Sequence, residues 1–173
     1  MQKIWNNFGK ILICFGIFLA SPLSVPVKSR EYSGIVSHVE IEKEAECIRE
    51  ALWFESRNQG LEGMKAVLSV IHNRKQAKGF PSTYCGVIHS KMQFSYRLHL
   101  PAGVGLKIHP QNSLDKEILE DISLLAHKVV TGKFKPVLES NVLWYAHVKV
   151  KNRWTRKYKR VIVLNQHAFY KES

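Results

Sequence analysis

The chain has 173 residues, 45% hydrophobic and 10% aromatic, which is enough for one domain with a real core and excludes a disordered chain. Its 26 Lys and Arg against 14 Asp and Glu give a formal net charge of +12. That surplus favours anionic partners, whether nucleic acid, acidic lipid or an anionic wall polymer, without choosing among them.

Lys3 and Lys10 give the chain a positive start, and the apolar run Ile11-Leu12-Ile13-Cys14-Phe15-Gly16-Ile17-Phe18-Leu19-Ala20 is broken by Ser21-Pro22-Leu23-Ser24. This is the layout of a secretory signal. It divides the chain into a signal peptide or signal anchor, 1–30, and one domain, 31–173. The run falls short of the roughly 20 apolar residues a span needs. No clean small-x-small cleavage site stands out, so an uncleaved anchor through residues 11–20 stays open. The protein is expected to be exported, to the periplasm, the cell wall or the extracellular space. Cys14 would leave with the signal, and Cys47 and Cys85 would remain as an even pair in an oxidising compartment. Such a pair points to a disulfide that closes a long segment; two separate buried thiols is the alternative.

Residues Lys28 to His38 are polar and read as an extended lead-in. A first helix is predicted over Val39 to Ser56, because Ile41, Ala45, Ile48 and Leu52 recur at spacings of four and three. Glu55 is the next member of that stripe. An acid at an apolar position is costly unless paired, hydrogen-bonded or protonated, and a carboxyl that keeps its proton can act as a general acid. Alternatively, Glu55 turns to water or pairs with Arg57 or Arg74. A second helix is predicted over Leu61 to Ala77, ended by Gly79 and Pro81. Tyr84 to Tyr96 reads as loop with extended pieces, and Leu98 to Asn112 as a surface loop over or beside a cleft. Ser113 is expected to cap a third helix, with Leu114, Ile118, Ile122, Leu125 and Val129 as its stripe. Asn141 to Val148 and Arg160 to Leu164 are rich in strand formers and predict a small hairpin or two-stranded flap. The class expected is α+β, mainly α.

Several pieces occur in an order that resembles the SleB-type cell-wall hydrolases, the cortex-lytic or Hydrolase 2 family. They are Ala51-Leu52-Trp53-Phe54-Glu55-Ser56-Arg57, Gly63, Asn73-Arg74, Phe80-Pro81-Ser82-Thr83, Cys85-Gly86-Val87-Ile88, Gln93-Phe94-Ser95, Trp144-Tyr145-Ala146-His147, Trp154 and His167-Ala168-Phe169-Tyr170. No single piece is specific; their order from about Glu44 to Tyr170 is. Ser56, Asn58-Gln59 and Asn165-Gln166 depart from the family pattern beside the acid without removing it. The resemblance implies a peptidoglycan glycosidase on a lysozyme-like or transglycosylase-like single domain with a small β-hairpin near the C-terminus. Such enzymes cut between N-acetylmuramic acid and N-acetylglucosamine, many of them as lytic transglycosylases that release a 1,6-anhydro sugar. It also supports the Cys47–Cys85 bond.

A glycosidic oxygen leaves only with a proton, and Glu55 would supply it. A second acid has no obvious placement: Glu62, Asp115, Glu117, Glu120, Asp121 and Glu139 all have ordinary helix or turn explanations. That favours a one-acid mechanism assisted by the substrate's own N-acetyl group. Gln93 and Ser95 could hold that N-acetyl group or a sugar hydroxyl; satisfying loop backbone is the alternative. Tyr145 and His147 share one face of a strand and could reach the cleft together, or they are a core Tyr and a structural His. Trp154 could stack on a sugar, or anchor the basic loop instead.

Lys149, Lys151, Arg153, Arg156, Lys157, Lys159 and Arg160 are interleaved with Trp154 and Tyr158. This is expected to be a surface for the anionic envelope, since no nucleic-acid motif accompanies it. The eight His are scattered without a His-Glu-x-x-His set, so no metal and no other cofactor is expected. Peptidoglycan glycan strands are the expected partner of a monomer. The competing reading is a non-catalytic basic protein that binds cell wall or nucleic acid.

Overall fold

The computed structural model describes residues 29–91 and 93–172. The predicted signal, residues 1–28 of it, lies outside them. Helix α1 (Ser29–Ser56) is the longest element, and it begins where an extended lead-in was predicted. No proline interrupts the chain between Ser29 and Ser56, so the helix runs on beyond its packed part. Ala45, Ile48 and Leu52 of the predicted stripe are buried, while Ile41 is exposed because it lies N-terminal to the core.

Helix α2 (Gly60–Gln76) is buried along most of its length, from Gly63 to Arg74. Gly60, at φ +66°, makes the sharp turn between α1 and α2 that a side chain would strain. A short helix α3 (Tyr84–His89) stands where loop was expected, because Thr83 accepts the N–H of Gly86 and caps it. Glu44 of α1 also accepts the Tyr84 and Cys85 N–H groups, so an acid sits at the positive end of α3. A single 3-10 turn, Ser95–Arg97, follows.

Helix α4 (Ser113–Val130) is capped by Asn112, whose side chain accepts the Asp115 N–H at 2.9 Å, so Ser113 is its first residue and not its cap. Ile122, Leu125 and Val129 of its predicted stripe are buried, whereas Leu114 in the first turn is 61% exposed. Strand β1 (Val142–His147), helix α5 (Arg153–Lys157), strand β2 (Lys159–Leu164) and strand β3 (His167–Lys171) complete the fold. The expected two-stranded flap is part of a three-stranded antiparallel sheet in the order β1-β3-β2, with β3 in the middle.

Helices α2, α3 and α4 pack on α1, and β1 packs on α2. Phe169 in β3 joins the main core with Val142 of β1. The opposite face of the sheet carries a second cluster of Ala146, Ala168 and Tyr170 covered by Trp144, Trp154 and Tyr158. Strand alternation sends Trp144 and Ala146 to that cluster and Tyr145 to the main core. Among the described residues, no helix is long and apolar enough to cross a membrane.

Candidate active site

The end of α1 brings Glu55 to a half-buried position. Ser56, one residue on, is fully buried and turns its hydroxyl back to the Leu52 carbonyl (3.1 Å), which fixes the last turn. Glu55 meets two hydroxyls. Ser95 donates to its Oε1 at 3.2 Å and Tyr145 donates to its Oε2 at 3.0 Å. The three residues come from α1, the 3-10 turn and β1.

Tyr145 is held from behind. Asn73 donates to the carbonyls of Glu139 (2.7 Å) and Val142 (3.1 Å), and Arg74 Nε donates to the Leu143 carbonyl (2.8 Å). The end of α2 thereby docks β1. The Tyr145 ring lies edge-on to His167 at 5.1 Å and beside Phe169 at 5.9 Å. Burial pushes the Tyr145 hydroxyl well above its usual range, and the charge of Glu55 pushes the same way, against a smaller opposing pull from Arg74. At neutral pH Tyr145 therefore keeps its proton and remains a donor.

Arg74 is 4% exposed and lies among the rings of Trp144, Phe80 and Phe94, at 5.4, 5.7 and 5.9 Å. Burial lowers its pKa, while Tyr145 and Glu55 act in the opposite direction. Its interaction with Glu55 is thus one of field and not an ion pair, so the alternative Arg74–Glu55 pairing is absent among the described residues. Arg57 instead lies over the Trp53 ring at 4.8 Å.

Among the described residues, Gln93, His147 and Trp154 make no hydrogen bond to Glu55. Gln93 is half-buried, and its N–H bonds to the Ser90 carbonyl at 3.4 Å. His147 Nδ1 accepts the Lys149 N–H at 3.1 Å in the turn after β1. Trp154 packs on Tyr170 (5.4 Å), Tyr158 (6.0 Å) and Trp144 (6.4 Å) on the far face of the sheet, so it anchors the basic segment. Cys47 and Cys85 are joined by a disulfide across α1 and α3, 38 residues apart in the chain.

Sequence reasoning missed the most deeply placed acid. Glu50 is 3% exposed and paired with Arg97 at 2.5 Å. It also accepts the Tyr96 hydroxyl (3.1 Å) and the Leu106 N–H (2.9 Å). It borders a cavity of about 670 Å³ that does not include Glu55. Its oxygens are already taken by protein donors, so Glu50 is a structural pin that ties the loop after Arg97 to α1. The Arg97 partner is 47 residues away in sequence, and Glu50 stands off the apolar stripe; neither fact is visible locally.

The positions that depart from the family pattern meet one another. Asn165, at φ 51°, donates to the Gln59 carbonyl, and the Gln166 N–H donates to Gln59 Oε1 at 3.0 Å. The turn after the acid is thereby fastened to the β2–β3 turn. A Cβ on Gly63 would stand 2.5 Å from Gln59 Cβ, so only glycine admits this approach.

Residues 58–170 match the family described as Cell Wall Hydrolase, a stretch that begins three residues after Glu55. The fold is similar to the catalytic domain of the Bacillus cereus SleB protein, with TM-score 0.52 and 23% identity over 75% of this chain and 91% of that one. It is equally similar to the catalytic domain of the germination-specific lytic transglycosylase SleB from Bacillus anthracis, with TM-score 0.52 and 22% identity over 74% and 93%. No curated protein sequence matches the chain.

Proposed function

Since the chain belongs to the cell wall hydrolase family, we propose that it cleaves peptidoglycan glycan strands between N-acetylmuramic acid and N-acetylglucosamine, with Glu55 as general acid and then general base. The observation that carries this reading is the setting of Glu55: a half-buried carboxyl at a helix end, fixed by two hydroxyls from distant segments. The similarity to a domain named as a lytic transglycosylase supports the anhydro-forming version.

In that version Glu55 gives its proton to the glycosidic oxygen as the C1–O bond of the muramic residue breaks. The carbonyl oxygen of the substrate's N-acetyl group closes on C1. Glu55, now a carboxylate, takes the proton from the C6 hydroxyl, whose oxygen displaces the N-acetyl oxygen and forms the 1,6-anhydro ring. Tyr145 holds one Glu55 oxygen in place throughout, because it stays a donor. Ser95 can donate to or accept from the other, so it can follow the change in protonation. Both groups bonded to Glu55 among the described residues are hydroxyls, which agrees with a one-acid mechanism.

The protein is read as exported. Lys149, Lys151, Arg153, Arg156, Lys157, Lys159 and Arg160 are all exposed, a surface suited to the anionic envelope. The test is digestion of purified peptidoglycan by residues 31–173 and by the Glu55→Gln variant, with mass spectrometry of the soluble fragments. Products one water lighter than ordinary muropeptides, absent with the variant, are expected. Hydrated products would replace the anhydro step with attack by water. Unchanged products from Glu55→Gln would point to a different acid, and no products from either protein would leave the non-catalytic wall-binding reading.

A further inference from the structure

Phe54 is 38% exposed. Single exposed apolar side chains are ordinary and mean little by themselves. Phe54 differs because it is exposed and yet held. One face of its ring is stacked on Tyr96, with centroids 5.0 Å apart and planes at 22°. Tyr96 cannot swing away: its hydroxyl is bonded to the buried Glu50, and its ring leans on Phe94, which is 2% exposed. Arg97, next in the chain, closes the same support by pairing with Glu50.

The chain links this platform directly to the acid. Phe54 and Glu55 are consecutive, and so are Ser95 and Tyr96. Ser95 bonds to Glu55 while Tyr96 stacks under Phe54. The acid and the aromatic ring are therefore held by the same turn.

We infer that Phe54, backed by Tyr96, is a sugar-stacking subsite that takes the apolar face of an N-acetylhexosamine ring beside the bond at Glu55. This rests on the reading of Glu55 as the acid. A pyranose presents a row of axial C–H groups on one face, and a flat aromatic ring covers them with apolar area while leaving the hydroxyls at the rim in water. A ring already immobilised by Tyr96 loses little freedom when the sugar arrives. The subsite favours the glycan over its acidic peptide, since the negative face of a phenyl ring disfavours carboxylates.

The probe is soluble peptidoglycan glycan strands with their peptides removed, titrated by calorimetry into the Glu55→Gln protein. Phe54→Ala and Phe54→Leu, each added to that background, are expected to weaken binding about three- to tenfold, and Phe54→Trp to keep it. In the active protein Phe54→Ala and Phe54→Leu raise KM more than they lower kcat, and Phe54→Trp leaves KM near that of the parent. Leu keeps the contact with Tyr96 and lacks the aromatic face, so a Leu variant that melts at the parent temperature and binds weakly assigns the effect to stacking. Parent-like binding by Phe54→Leu would overturn the inference, as would a Glu55→Gln protein that binds no stripped strands. Cleavage that survives Glu55→Gln would sink the choice of acid, and the KM of Phe54→Leu against that of the parent would then decide the subsite.

Discussion

Tyr145 donates its hydroxyl hydrogen to Glu55 Oε2 at 3.0 Å, across 90 residues of chain. The acid ends the first helix and the hydroxyl stands on the first strand, so this bond joins the helical and sheet parts of the fold at the proposed centre of chemistry. A Tyr145→Phe substitution removes the bond and keeps the ring against His167 and Phe169. A hydrogen bond to a charged group contributes about 1.5–3 kcal/mol, so the rate of peptidoglycan solubilisation should fall about ten- to a hundredfold. The melting temperature should stay near that of the parent, because the ring contacts persist. Initial rates and thermal melts measured together test this; a loss of rate that merely tracks a loss of fold would contradict it.

The Glu50–Arg97 pair should behave in the opposite way. Removing one partner leaves the other buried and uncompensated, which costs about 3–5 kcal/mol. Arg97 also donates to the Val104 carbonyl at 2.7 Å, so its loss frees the loop that follows. Glu50→Leu and Arg97→Met should each lower the midpoint of urea unfolding sharply. The double variant should lose less than the two single losses added together, because no lone buried charge remains. Strict additivity would show that the pair does not act as a unit.

Reduction of Cys47–Cys85, or its replacement by two serines, should lower stability by about 2–4 kcal/mol, as expected for closure of a loop of this length. The Glu44 cap of α3 survives reduction, so the far-ultraviolet spectrum of the reduced protein below its melting point should match that of the oxidised one. Unfolding of oxidised and reduced samples in urea gives the difference directly.

Burial lowers the pKa of His89, and Arg97 adds to the effect while Glu50 opposes it; burial likewise lowers His72 and His167. The folded protein thus holds these rings neutral where the unfolded chain would protonate them. Stability from this source is complete above the ordinary histidine value of 6.5 and is lost as pH falls below it. The urea midpoint should decline from pH 7 toward pH 5. His89→Gln should flatten that decline; an unchanged slope would remove His89 as a cause.

The helical half was legible because it follows one period. Ala45, Ile48 and Leu52, and again Ile122, Leu125 and Val129, were found by spacing alone. Glu55 was legible as the acid that continues a stripe. Glu50 was not, because it lies off that stripe and its burial depends on Arg97, Tyr96 and Leu106 arriving from the far side of α3. Helix α3 was read as loop because a six-residue helix is too short to show a period. The third strand was missed because His167-Ala168-Phe169-Tyr170 is buried on both faces and shows no alternation. Trp154 was grouped with the site by its chemistry, whereas α5 packs it on the far face of the sheet, and His147, grouped with Tyr145 by strand alternation, ends β1 with its ring bonded to the Lys149 N–H.

The middle position of β3 has a consequence for when the protein becomes competent. Ribosomes deliver the chain from its N-terminus, so α1 with Glu55 emerges early and β1 and β2 emerge before the strand that separates them. Until His167–Lys171 has been made, neither β1 nor β2 has its partner, and Tyr145 lacks the His167 and Phe169 rings that hold it. A nascent chain therefore carries Glu55 long before the hydroxyl that fixes it, and a strand made after both β1 and β2 is the one that completes the proposed site.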